Sequence, residues 1–151
     1  MVFFIIYCLG AFAVDQITKY FVVTRMQLGD SITIIPRLFS ITLVRNPGGA
    51  FRILAHQTSL FIAIGLVLVF GVVVALLHIP QMDARLASSL GLLTGGVLGN
   101  LLDRVRTGYV TDFLDFHFWP VFNFADVFIF LGVILLFLFL LVPQQSRTGE
   151  G

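Results

Sequence analysis

DRVRTGYVTDFLDFHFWPVFNFAD, residues 103–126, carries four of the chain's eight acidic side chains: Asp103, Asp112, Asp115 and Asp126. Apolar runs flank it on both sides, LASSLGLLTGGVLGNLL before it and a stretch of almost pure Val, Ile, Leu and Phe after it. A charge placed in hydrocarbon costs at least about 2.5–3.5 kcal/mol on insertion scales, so ionisable groups held there are functional candidates. The surrounding 151 residues are 58% hydrophobic and 11% charged, with a mean hydropathy of +1.02. Soluble domains run at about 45–50% apolar and about 25% charged, so this composition points to a membrane protein. A net charge of +1 with scattered arginines argues against a nucleic-acid partner. Cys8 is the only cysteine, which excludes an internal disulfide.

Four segments qualify as membrane helices, at about 1–23, 60–77, 86–102 and 125–142. The second has no charge, and its 18 residues at 1.5 Å each cover about 27 Å of hydrocarbon. The third is rich in Gly, Ala and Ser, which let helix backbones approach closely in lipid; it reads as an inner helix. The fourth is apolar all round and reads as lipid-facing. The first has no basic residue ahead of its apolar run and no small-x-small cleavage site after it, so it reads as a retained helix rather than a removable signal peptide.

The expectation is therefore an all-α membrane protein, a single domain over 1–151, with four transmembrane helices and both termini on one side. Seven of the nine basic residues lie on the loop side; counted alone, the positive-inside rule places the termini outside.

The long connection between the first two helices has its own pattern. SITIIPRLFSITLV is rich in β-branched and aromatic residues, and its second part alternates, Phe39, Ile41 and Leu43 against Ser40, Thr42 and Val44. Pro36 and Arg37 mark a break between two short strands. This predicts a small antiparallel β-sheet, within about 30–55, resting on the membrane surface. RNPGGAF follows and calls for a turn with unusual backbone angles.

Asp15 and Lys19 are four apart on a helix and can pair on one face. Asp103 and Arg104 end the third helix as a boundary, and Asn100 lies in its last turn, pointing into the bundle. NFAD fits an N-cap, Asn123, with an acid at the third helical position, Asp126. Capping alone would account for both. Asp112 and Asp126 flank an aromatic turn, FHFWPVF, whose Trp119 suits a membrane interface. A return of the chain through it would bring the two carboxyls together, where they would share one proton and serve as acid and base for peptide hydrolysis. On spacing alone, Asp112 or Asp115 reads equally as a solvated loop residue or a divalent-cation ligand. His56, His78 and His117 have no zinc spacing, and no Gly-x-Ser-x-Gly or Walker pattern occurs. No metal or cofactor is expected. Two other readings stand beside the protease: a Mg²⁺-dependent lipid-head-group transferase using Asp103, Asp112 and Asp115, and a non-enzymatic transporter.

Blocks spread over most of the chain resemble the lipoprotein signal peptidase (signal peptidase II) family of membrane aspartic endopeptidases. DQITK is similar to its Asp-Gln-x-x-Lys, RNPGGAF to its Asn-x-Gly-Ala-Ala-Phe turn, GGVLGNLLDR to its Gly-x-x-x-Gly-Asn-x-x-Asp-Arg block, and VTDF and FNFAD to its two catalytic blocks. Gly49 departs, standing where the family commonly has alanine. The resemblance implies Asp112 and Asp126 as the catalytic dyad, with Asn46, Gly48, Asn100, Arg104 and Asn123 positioning substrate. Asp15, Lys19 and Asp103 become structural support, and Asp115 is demoted to a loop role. It further implies diacylglyceryl-prolipoprotein substrates cut just before the lipidated cysteine, membrane lipid as surroundings, and globomycin-type inhibitors. The location it implies is the bacterial cytoplasmic (inner) membrane, with termini cytoplasmic and the active site near the outer leaflet, against the charge count.

Overall fold

The computed structural model describes residues 1–48, 57–79 and 81–141. Four helices form a bundle: α1 (Val2–Arg25), α2 (Thr58–His78), α3 (Ala84–Thr107) and α4 (Phe124–Leu141), each long and apolar enough to cross a membrane. Glycines in α3 explain its central place. A Cβ on Gly91 would stand 2.7 Å from the Phe4 carbonyl oxygen of α1, and one on Gly96 would stand 2.5 Å from the Ala125 carbonyl oxygen of α4. Bare backbone at these points lets α1 and α4 close on α3, the packing that lipid favours because tails supply no hydrophobic drive. More than half of α3 is buried, whereas only about a tenth of α2 and of α4 is, the rest of each being half-buried or exposed. Both α2 and α4 pack on α3 but scarcely on each other, which leaves a cleft between them.

The ends of α3 differ from the sequence expectation. It runs past Leu102 to Thr107 and stops at Gly108, whose φ of 82° provides the left-handed C-cap. Asp103 and Arg104 are thus helical residues aimed back at the bundle, rather than a boundary at its end.

The sheet differs more. Three antiparallel strands, β1 (Ser31–Ile35), β2 (Phe39–Asn46) and β3 (Val110–Asp115), stand in the order β1-β2-β3. Pro36 and Arg37 do turn the first hairpin, with Arg37 at φ 64°. The third strand comes from the other connection, so the sheet is not confined to the segment between α1 and α2. VTDFLD hides its strand character by carrying a carboxylate on each face. Nor does β2 alternate cleanly. Its register against β3 shifts between Ile41 and Val44, and this bulge buries Ser40 and Leu43 together. Bulges re-aim side chains in this way. Gly49, Ala50, Phe51 and His56 lie outside the described residues.

The close approach makes a prediction. A Cβ on Gly132 of α4 would stand 2.7 Å from the Leu93 backbone nitrogen, while one on Gly71 of α2 meets nothing within 4 Å. Gly132→Ala should cost about 1–3 kcal/mol and lower Tm in detergent, with Gly71→Ala leaving Tm unchanged.

Candidate active site

Asp112 reaches its position because β3 pairs with β2, Val44 opposite Asp112 and Asn46 opposite Val110. Its carboxylate accepts from Asn46 Nδ2 at 2.8 Å and from Asn123 Nδ2 at 2.6 Å. Gly48 (φ 142°) donates its backbone N–H to Asn46 Oδ1 at 3.0 Å, which turns the Asn46 amide nitrogen toward Asp112. Asp126 sits in the first turn of α4, and the capping reading holds in both directions. Asn123 Oδ1 accepts from the Asp126 N–H at 3.0 Å, and Asp126 Oδ2 accepts from the Asn123 N–H at 3.2 Å. Asn100 Nδ2 donates to Asp126 Oδ1 at 2.8 Å. One residue, Asn123, therefore holds both carboxyls.

Behind them lies a buried charge cluster. Lys19 Nζ is 2.8 Å from Asp15 Oδ2, 2.9 Å from Asp103 Oδ2 and 3.0 Å from Asn100 Oδ1. Asp15 is wholly buried, and its Oδ1 accepts from the Ala125 N–H at 2.9 Å, adding a second anion to the start of α4, where the helix dipole favours one. Asp103 Oδ2 also accepts from the Thr111 N–H at 3.1 Å, tying α3 to β3.

In front lies a cavity of about 760 Å³, bounded by α2, α3, α4 and the aromatic turn. Asn46, Asn100, Arg104, Asp112 and Asp126 form its polar end; Phe61, Leu68, Phe116, Trp119, Phe122 and Phe130 are among its apolar walls. The Arg104 guanidinium lies 4.8 Å over the Phe61 ring, and its Nε is buried with no hydrogen-bond partner among the described residues. Burial, and next the charge of Asp126, push the Asp112 carboxyl up to about 7, against the opposing bonds from Asn46 and Asn123 and the charge of Lys19.

The structure thus gathers Asp112, Asp126, Asn46, Asn100, Arg104 and Asn123 at one place, with Gly48, Asp15, Lys19 and Asp103 in contact with them. Asp115 is elsewhere. It accepts from Thr42 Oγ1 at 2.8 Å and from the His117 N–H at 2.9 Å, fastening the aromatic turn to the sheet. The three aspartates of the Mg²⁺ reading therefore do not converge: Asp103 is taken by Lys19 and Asp115 by the turn. Among the described residues, no three His, Cys, Asp or Glu side chains are grouped to hold a metal. His78 bonds the Val74 carbonyl, far along the chain from His117, and His56 is outside the described residues. Sequence reasoning missed two contributors. Gln16 reaches Asp15, Asp103 and the Gly99 carbonyl through one Nε2, and Thr111 acts through backbone atoms, which no side-chain pattern announces.

Four spanning helices with one buried and one half-buried carboxyl, both bonded by Asn123, at the polar end of an apolar cavity define a multi-pass membrane protein built to act on a partly apolar substrate. The signal peptidase (SPase) II family model matches residues 7–142. The chain belongs to that family and is a peptidase. It is 43% identical to the lipoprotein signal peptidase of Moorella thermoacetica over 147 residues, covering 97% of this chain and 98% of that one. With the lipoprotein signal peptidase of Pelotomaculum thermopropionicum it shares 46% identity over 123 residues, 82% of this chain and 81% of that one. A bacterial membrane enzyme solved in meso at 2.3 Å superposes with a TM-score of 0.81 at 34% identity, over 98% of this chain and 93% of that chain.

The position of Asp112 has a consequence for stability. The folded chain keeps a proton there that an ordinary carboxyl releases near 3.8, so stability should fall as pH rises through the window from 3.8 to about 7. Asp112→Asn removes the buried charge. The variant loses one of the two amide bonds at every pH but has no proton to release, so the difference between its Tm and that of the parent should shift in the variant's favour from about pH 4 to about pH 8.

Proposed function

We propose that this peptidase removes the signal peptide from diacylglyceryl-modified prolipoproteins, cutting just before the lipidated cysteine, with Asp112 and Asp126 as a metal-independent acid–base pair. The observation that carries this reading is the joint hold of Asn123 on both carboxyls where the apolar cavity ends. Two carboxyls so placed share one proton. In this reading the proton rests on Asp112, and Asp126 is the anion, supported by the N-terminus of α4 and by Asn100.

Asp126 takes a proton from water as the water oxygen attacks the scissile carbonyl carbon, and Asp112 gives its proton to the carbonyl oxygen. In the tetrahedral diol the proton flow reverses. The C–N bond breaks, the amine of the lipidated cysteine leaves with a proton from Asp126, and Asp112 recovers its own as the new carboxyl forms. No metal or cofactor enters the sequence of steps.

The cleft between α2 and α4 suits acyl chains that remain in lipid, each buried CH₂ contributing about 0.8 kcal/mol to anchoring. Anchoring at fixed depth presents the peptide bond to the pair and makes attack effectively intramolecular. Asn46, Asn100, Arg104 and Asn123 orient the pair and the peptide. Globomycin-type cyclic peptides would occupy the same cavity. The location that fits is the bacterial inner membrane, with termini cytoplasmic and the pair near the outer leaflet. Two of the seven loop-side cations, Lys19 and Arg104, are drawn into the interior, which weakens the opposite inference from charge.

An assay with a diacylglyceryl-modified lipopeptide tests the reading. Asp112→Asn and Asp126→Asn should each lower turnover by at least about 100-fold with the fold retained in detergent; near-normal turnover in either refutes the pair. Asp115→Asn should stay within about fivefold, because the amide oxygen still accepts one of its two bonds. Activity should survive EDTA and decline as pH rises through about 7, where the pair loses its shared proton.

A further inference from the structure

Every residue from Phe116 to Phe122 lines the cavity except His117. That one side chain turns the other way, to the sheet. Its Nε2 lies 3.2 Å from Ser40 Oγ and its Nδ1 lies 3.5 Å from Asp115 Oδ1. Ser40 is buried, and among the described residues the imidazole is the hydrogen-bond partner of its hydroxyl.

The backbone makes this reversal. His117 has a φ of 62°, and the Phe118 N–H donates across it to the Phe116 carbonyl at 2.7 Å. A three-residue γ-turn centred on positive φ is the rare, strained kind. Histidine and asparagine take positive φ more readily than most residues, and β-branched ones hardly at all. Such an angle persists where surrounding bonds over-determine it. Here the His117 N–H on Asp115 Oδ1 at 2.9 Å and the ring on Ser40 supply those bonds.

The two ends of the aromatic turn have other support. Phe116 lies against Phe39 and Phe122, and Phe122 bridges Leu114 through its backbone. The tip does not. Among the described residues, Phe118 and Trp119 make no hydrogen bond to the sheet or the helices, and both are exposed.

We propose that His117 is a positioning residue for substrate binding: the turn it centres holds Phe118 and Trp119 at the wall of the cavity, and so governs how firmly the apolar part of the substrate is held. This rests on the lipoprotein reading above. Releasing the turn takes two aromatic walls from the cavity while Asp112, Asp126 and their amides stay in place. Binding is then lost equally from ground state and transition state, which raises KM at constant kcat.

The test uses the full chain in detergent with the diacylglyceryl-modified lipopeptide. The emission of Trp119, the chain's one tryptophan, is read without substrate. Asp112→Asn is the control: if it turns over, the acid–base reading fails and the emission alone judges this inference. His117→Val removes the ring and opposes the angle. It should raise KM by about tenfold or more, keep kcat within about threefold and shift the Trp119 emission maximum. His117→Asn tolerates the angle, so its KM should return to within about threefold of the parent. An unmoved KM and emission in the valine variant, a loss confined to kcat, or an asparagine variant as impaired as the valine one overturns the proposal. If His117→Val does not fold, Ser40→Ala decides. It deletes the anchor of the ring and should raise KM by at least about threefold; a parental KM overturns the assignment.

Discussion

A positive charge that cannot reach water must be met by acceptors on every side, and Lys19 is met by residues from two helices. Asp15 lies one turn back on α1, and Asp103 and Asn100 lie on α3. Asp15 then spends its other oxygen on the start of α4. One ammonium therefore joins three helices, and breaking one arm of such a cluster leaves an uncompensated charge, which is far costlier than never having buried the pair. Association in lipid needs this kind of interaction, because the tails are as apolar as the helices and supply no hydrophobic drive of their own.

On that support the molecule separates two tasks. Small residues of α3 set how near α1 and α4 come. The sheet and the aromatic turn, fastened by Asp115, Thr42 and His117, set where Asp112 stands and what encloses it. The two carboxyls arrive by different routes: Asp126 on a capped helix, Asp112 on a strand. Asn123 joins them because it belongs to both arrangements, as the N-cap of one and a donor to the other. The residue that satisfies the helix end thus also fixes the positions of the two carboxyls. The capping reading of Asn123 and Asp126 and the proposed catalytic one are compatible, because the same bonds serve both.

Much of this was legible in advance, for reasons that are local. Long apolar runs mark spanning helices, because an unsatisfied backbone in hydrocarbon is prohibitive. The small-residue content of α3 announces an inner helix, and the spacing of Asp15 and Lys19 announces a pair. The capping box is four residues long and can be read directly. The family motifs mark the site residues in order. Less legible were the true end of α3, where charged residues suggested a boundary, and β3, whose carboxylates on both faces erase the alternation that betrays a strand.

The sequence by itself determined the four crossings, the inner place of α3, the capped start of α4 and the residue types that make acid–base chemistry available, since all of these follow from periodicity and composition over a few turns. Only the tertiary structure decided that a strand from the second connection completes the sheet begun in the first, that α2 and α4 part to leave a cavity, and that the amides of Asn46, Asn100 and Asn123 present their nitrogens to the carboxyls. Each of those depends on hydrogen bonds between atoms tens of residues apart, whose lengths and directions no local pattern encodes.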